Sequence, residues 1–269
     1  MKKHRVLYIS QEITPYLPES EMANVSRYLP QGIQERGREI RTFMPRFGSV
    51  NERRNQLHEV IRLSGMNLII NESDHPLIIK VASIQAARMQ VYFIDNEDYF
   101  QRRATWKDEE GTEFPDNDER AIFFARGVLE TVRKLRWAPD LVHCHGWFTS
   151  IIPLYLKKVF HDDPLFSNAK VVCSLYQDGF KTPLNEKFKE KLLMPGINPA
   201  DVSVLEVPDF VHVSKMAISH SDALVVGSQV IDPEIDKFLR ASGKPFLEYQ
   251  GTEQYADAFS DFYRDILGV

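Results

Sequence analysis

Apolar residues along this chain follow two alternating rhythms. Short continuous runs, such as Val6 to Ile9, read as strands covered on both faces. Between them, apolar residues recur at the spacing that keeps one helix face in a core. Strand one is Arg5 to Ser10. In the helix after it, Met22, Val25, Leu29 and Ile33 share a face, and the pattern ends near Gly37. Pro30 falls inside that pattern and is expected to kink it. A second strand covers Ile40 to Met44. A long helix covers Asp118 to Arg136, with Ile122, Ala125, Leu129, Val132 and Leu135 on one side. Then follow a strand at Asp140 to His145, a helix at Trp147 to Val159, a strand at Lys170 to Leu175, and "SDALVVGS" at 221 to 228 as a strand before the helix "PEIDKFLRAS". A last amphipathic helix, Tyr255 to Leu267, clusters Phe259, Phe262, Tyr263 and Ile266.

Between Leu57 and Asp95 the rhythm changes. "LHEVIRLSGMNLII", "LIIKVASI" and "MQVYFIDN" read as successive strands with no helix between them, so a β-meander is inserted here. The pattern as a whole predicts an α/β fold: a doubly wound, mostly parallel Rossmann-like sheet with an inserted meander and a C-terminal capping helix. No internal repeat or low-complexity stretch interrupts it.

At 269 residues, 43% hydrophobic and 26% charged, the chain can bury a sizeable core, and one large domain with additions is expected. A formal net charge of -5 gives no electrostatic reason to expect nucleic acid or an anionic membrane as partner. Met1 to Arg5 is basic, but the apolar run after it is too short for a signal-peptide core. No window approaches the roughly 18 apolar residues of a membrane span. The two cysteines, Cys144 and Cys173, fall in expected buried strands and do not make a disulfide framework. A cytoplasmic location is expected.

The turn between the first strand and its helix carries the first chemical question. A nucleotide-binding fold normally places glycine here, because a residue without a Cβ lets backbone amides close on phosphate oxygens. This turn reads Pro18, Glu19, Ser20, Glu21, and no glycine lies between Ile9 and Met22. At 116 to 120, "DNDER" reads first as a helix start, with Asp116 or Asp118 as N-cap and further acid in the first turn. Strand alternation sends His143 and His145 to one face and Cys144 to the other, so the three do not share an ion, and no metal site is expected. Trp147 and Phe148, at a strand-helix junction, read either as core residues or as a sugar platform.

Three stretches together resemble the N-terminal half of bacterial glycogen synthases and plant starch synthases. They are "VLYISQEITPY" followed by "MANVSRYLPQGIQERGREIRTFMPRFG", "VYFIDNEDYF" with "FPDNDERAIFFARGVLE", and "APDLVHCHGWFTSIIPLYL". "VVGSQV" near 230 adds a fainter match. The resemblance implies a GT-B glycosyltransferase architecture, in which two Rossmann-like domains face each other across a cleft. It further implies retaining transfer of glucose from ADP-glucose to an α-1,4-glucan, with no metal or other cofactor, the donor held chiefly by the second domain and glucan docking largely on the first. On this reading residues 1–250 correspond to the family's N-terminal domain, and the chain stops where the second should start. Residues 251–269 are then a C-terminal helix packed on the same domain. "YADAFSDFYRDIL" resembles the terminal helix that in GT-B enzymes crosses back onto the first domain, and an unrelated capping helix is the alternative.

The family's first turn reads Lys-Thr-Gly-Gly-Leu-Ala-Asp; the aligned residues here are Pro18, Glu19, Ser20, Glu21, Met22, Ala23 and Asn24. A lysine about 4 Å from a diphosphate charge is attracted by roughly 4 kcal/mol at intermediate dielectric, and a carboxylate is repelled by as much. The exchange reverses the sign, unless the glutamates are only solvated loop residues. The family's His-x-His-Asp-Trp-His reads His143, Cys144, His145, Gly146, Trp147, Phe148, and its Thr-Ile-His-Asn aligns with Ser174, Leu175, Tyr176 and Gln177. Ligands in such sheets bind beyond the carboxyl ends of the strands. The candidates for a sugar or nucleotide cleft are therefore Glu12, Asn24, His143, His145, Trp147, Tyr176 and Gln177, beside the altered donor loop at Pro18 to Glu21. No residue stands out as catalytic. Three functions are expected to compete: a synthase half completed by a protein partner that supplies a C-terminal half, a non-catalytic glucan- or synthase-binding regulator or scaffold, and a stand-alone nucleotide-sugar enzyme.

Overall fold

The computed structural model describes residues 3–269; of the basic start of the chain, Met1 and Lys2 lie outside the described residues. In chain order the elements are β1 (Arg5–Ser10), α1 (Glu21–Glu35), β2 (Glu39–Pro45), β3 (His58–Glu59), β4 (Met66–Ile70), β5 (Ser73–Ile84), β6 (Met89–Asp95), α2 (Glu97–Phe100) and α3 (Asn117–Leu135). Then come β7 (Leu141–His145), α4 (Ile152–Lys158), β8 (Lys170–Leu175), α5 (Phe188–Lys191), α6 (Phe210–His220), β9 (Ala223–Val226), α7 (Pro233–Ala241), β10 (Phe246–Leu247) and α8 (Ala256–Leu267).

The ten strands form one sheet in the order β10-β9-β8-β7-β1-β2-β6-β5-β3, with β4 paired to β5 off that path. Every pairing from β10 to β6 is parallel. The expected meander is the exception: β5 runs antiparallel to both β6 and β4. The chain builds outward from β1 in one direction through β2 and β6, then returns to β7 on the other side and continues to β10. The order therefore reverses between β1 and β7, which opens a crevice at their carboxyl ends.

Each face of the sheet has its own cover. Leu7, Ile9, Val142, Cys144, Val171 and Cys173 point into the larger cluster, shared with residues of α3, α4 and α6. Alternation turns Val6, Tyr8, Leu141 and Val172 the other way, against Leu29 and Ile33 of α1 and Phe259, Phe262 and Tyr263 of α8. Cys144 and Cys173 are opposite each other in the β7-β8 register, both buried and both free thiols.

α1 begins at Ser20, whose Oγ accepts from the Ala23 amide at 3.0 Å, and it continues past Pro30 to Glu35. The expected helix at 147–159 divides in two. A single tight turn spans Trp147–Thr149, and α4 then starts with Pro153 in its first turn, where the missing amide hydrogen leaves no bond unmade. Asp116 does hold the N-cap position of α3, but its carboxylate is engaged by Arg102 rather than by the helix amides. α6, which periodicity did not reveal, is capped by Asp209 accepting from the His212 amide at 2.9 Å. No helix among the described residues is long and apolar enough to cross a membrane.

Candidate functional site

A cavity of about 380 Å3 opens at the β1/β7 reversal. Its walls come from the segments that leave β1 (Gln11, Glu12), start α1 (Ser20, Glu21, Met22), follow β8 (Tyr176, Gln177, Asp178) and follow β9 (Ser228), closed by Trp106 and Lys107. Of the sequence candidates, the structure thus brings Glu12, Tyr176 and Gln177 together with Ser20 and Glu21 of the altered loop. Pro18 and Glu19 stand in solvent beside it, and Asn24 is half-buried one turn along α1, off the cavity wall.

The carboxylates of this cavity are held in place. Ser20 caps α1 and at the same time donates from Oγ to Glu12 Oε2 at 2.9 Å. Glu21 accepts from the Tyr249 hydroxyl, which ties the start of α1 to the segment before α8. Asp178, which motif alignment did not reach, accepts from the Trp147 amide at 3.2 Å. Burial pushes its carboxyl up to about 7, and the neighbouring Glu12 charge adds to the shift. Against three carboxyl groups the lining supplies one cation, the exposed Lys107, which lies over the Trp106 ring.

His143 and His145 do not line this cavity. Both point to the face covered by α8 and are fully buried. His143 Nδ1 meets the Tyr263 hydroxyl and its Nε2 lies 2.8 Å from Ser174 Oγ. Tyr8 donates to the same Tyr263 oxygen at 3.3 Å. The His145 ring lies 4.0 Å from that of His143, centroid to centroid, and its Nδ1 is 2.8 Å from the Tyr176 hydroxyl. Burial holds His143 well below the usual imidazole range, with the His145 charge adding to it, and burial alone takes His145 down to about 3. Both rings are therefore neutral at neutral pH. Trp147 is 3% exposed and packs edge-on against Phe148, Phe180 and Trp106, so of the two readings at this junction the structure takes the core one.

Gly146 stands where the family's aspartate is expected. Its φ is +86°, and a Cβ there would come within 2.7 Å of Met22 Sδ and 2.9 Å of Gln11 Cβ. Only glycine fits this backbone and this contact. The departure is thus packed into the fold. Among the described residues no cluster of histidine, cysteine and carboxylate side chains is arranged to hold a metal ion.

A mostly parallel sheet wound on both faces, with its crevice at the reversal of strand order, places the chain among the Rossmann-like α/β folds of GT-B glycosyltransferases. Residues 5–243 match the family model described as the starch synthase catalytic domain, and the chain belongs to that family. It is 38% identical over 200 residues to a glycogen synthase of Chlorobium luteolum, covering 74% of this chain and 41% of that protein. It is 34% identical over 235 residues to a glycogen synthase of Chlorobium limicola, covering 87% and 47%. It therefore spans about half the length of the curated relatives it matches. Among solved structures, the catalytic domain of starch synthase IV from Arabidopsis thaliana, bound to ADP and acarbose, superimposes with a TM-score of 0.73 at 16% identity. That match covers 92% of this chain and 51% of that one, and at this identity it speaks for the fold alone.

Proposed function

We propose that this chain is a glucan-binding member of the glycogen and starch synthase family that does not transfer glucose by itself. The observation that carries this reading is the charge of the cavity at the strand ends. Glu12, Glu21 and Asp178 converge beside the turn at 18–21, where the family resemblance implies a lysine and two glycines, and Lys107 is the one cation in the lining. A glucosyl transferase needs groups that stabilise a departing diphosphate more than the bound donor, and carboxylates do the reverse. A neutral glucan meets no such penalty. Glu12, Gln177 and Ser228 offer hydroxyl-binding groups, and the Trp106 edge offers an apolar surface. The N-terminal half of the family is also where the resemblance puts glucan docking. The two buried free thiols fit a reducing compartment, and we place the protein in the cytoplasm.

Titration of the purified chain with maltoheptaose and with ADP-glucose tests this reading. Saturable maltoheptaose binding, weakened in Glu12→Gln, is expected. ADP-glucose bound tightly at this cavity, or glucose incorporated into glycogen by the chain alone, would overturn it.

A second reading rests on the partial coverage of the relatives: glucosyl transfer from ADP-glucose would then require a protein partner that supplies the part of the relatives' length that this chain does not span. Glucose incorporation that appears only on adding a family C-terminal domain would favour it.

A further inference from the structure

A second, larger cavity lies at the opposite end of the sheet, and its charge is opposite too. It measures about 790 Å3 and sits at the amino-terminal ends of β2 and β6. Five cationic side chains line it: Lys3, Arg38, Arg41, Arg62 and Arg88. Its one carboxylate, Glu39, accepts from Arg5 Nε at 3.1 Å and from Trp137 Nε1 at 2.6 Å, and it also lies within electrostatic reach of Arg41. Among the described residues none of the five cations takes part in an ion pair. Asp261 of α8 lies within electrostatic reach of Arg38, but it pairs with Arg264.

This accumulation is costly in the free protein. Like charges grouped in a concave, partly desolvated wall repel one another, and the chain as a whole is acidic, with a net charge of -5. Two of the arginines are nonetheless fixed in position. Arg38, buried, donates to Ser260 Oγ at 2.9 Å and to the Ser260 carbonyl at 3.1 Å. Arg41 donates to the Tyr92 hydroxyl at 2.6 Å and lies over the rings of Tyr92 and Trp137. Arg41 Nε and Gln34 Oε1 are buried with no hydrogen-bond partner among the described residues. Of these two only Arg41 Nε is a donor, and an unpaired guanidinium donor beside the cavity is the kind of group that a phosphate oxygen satisfies. Arg62 and Arg88 are exposed at the rim without partners and are free to close on a ligand.

We propose that this cavity binds a small, multiply charged phosphate compound, gripped by Arg38 and Arg41 at its floor and by Arg62 and Arg88 at its rim. Guanidinium groups match phosphate oxygens with paired donors, and several of them around one volume select for more than one phosphate charge. The volume lies in the range of small-molecule sites. Ile40, Met89 and Leu135 add apolar wall that suits an organic body between or beside the phosphates. The concavity, rather than an extended basic face, favours a small ligand over a nucleic acid or a bilayer. Inorganic, sugar-borne and nucleotide-borne phosphates share this chemistry.

Calorimetric titrations of the full chain with pyrophosphate, fructose 1,6-bisphosphate and ADP, compared between wild type and the double variant Arg62→Gln/Arg88→Gln, test the site. Both substituted side chains are exposed and make no hydrogen bond or ion pair among the described residues, so the variant's melting temperature should match wild type. At least one probe should bind saturably, weaken as sodium chloride is added, and lose about tenfold or more in affinity in the double variant, the size expected for losing charge-assisted contacts. Affinity should be unchanged in Glu12→Gln, which separates this cavity from the strand-end cleft. The proposal is overturned if none of the three binds at millimolar concentration, if the double variant binds as wild type does, or if only RNA or anionic vesicles bind.

Discussion

Two titratable groups near the cleft, His145 and Asp178, act on stability with opposite signs, and their difference can be measured. His145 is fully buried and titrates near 3 in the folded chain, against about 6.5 when unfolded. The unfolded state therefore binds a proton that the folded state refuses. The stability this depressed pKa contributes is fully present above about 6.5 and is lost as pH falls toward 3. Between pH 7 and pH 5 the loss amounts to about 2 kcal/mol. Asp178 runs the other way. Its carboxyl titrates near 7 in the folded chain, above the ordinary carboxylate range, so the folded state takes up the proton first and gains stability over the same interval. Because Asp178 keeps part of its surface at the cavity mouth, its gain is smaller than full burial would produce. The two terms partly cancel in the wild type. His145→Gln removes the first while keeping a polar partner for the Tyr176 hydroxyl. Urea unfolding at intervals from pH 7 to pH 5, with the slope of the transition held common, gives the difference directly. The variant should gain about 2 kcal/mol on the wild type as pH falls across that range. A gap that stays constant with pH would refute the assignment of His145 as a buried, neutral, acid-sensitive group.

Two further outcomes follow from packing. Phe259→Ala removes the ring that lies 5.9 Å from His143 and covers the buried histidines, and it should cost about 3 kcal/mol in urea unfolding. A loss under about 0.5 kcal/mol would mean that α8 does not seal that face. Gly146→Asp, which restores the family's residue type, should destabilise by about 2 kcal/mol or more and leave ADP-glucose binding absent, because a side chain there meets Met22 and Gln11 on a left-handed backbone. Differential scanning fluorimetry and donor titration of the variant check both parts.

Much of the fold was legible because its signals are local. β1 and β8 fall on the residues that their apolar runs mark, Arg5–Ser10 and Lys170–Leu175. α3 begins one residue before its periodic pattern. The meander could be read because strand periodicity persists from Leu57 to Asp95 without a helical interval. α6 was missed for an equally local reason: Phe210, Val211 and Val213 alternate like a strand, and Pro183, Pro195, Pro199 and Pro208 make the preceding stretch read as loop. The Pro208-Asp209 pair, a stop followed by a capping residue, was the available signal. The site was less legible because its residues gain meaning from partners far away in the chain. Strand alternation placed His143 and His145 on one face, but not which face α8 covers. Asp178 becomes a cleft residue through the Trp147 amide, which β7 delivers from 31 residues earlier.

The polar residues of the strand-end loops can vary without loss of the fold because they lie outside both cores, unlike Ile13, Tyr16, Leu17 and Phe180 of the same loops. Glu12, Ser20, Glu21, Gln177 and Asp178 all retain surface, whereas the strands they follow are buried. Substitution there alters the charge of a cavity but not the packing beneath it. Gly146 shows where that freedom ends. At this position Met22 and Gln11 approach so closely that an aspartate would conflict with the packing. The cationic cavity at the other end of the sheet is the reverse case: Arg38 and Arg41 are held by Ser260, Tyr92 and Trp137, so that contacts within the fold fix like charges close together. Arginines fixed against their mutual repulsion call for a counter-charge. Carboxylates at a surface opening need only water.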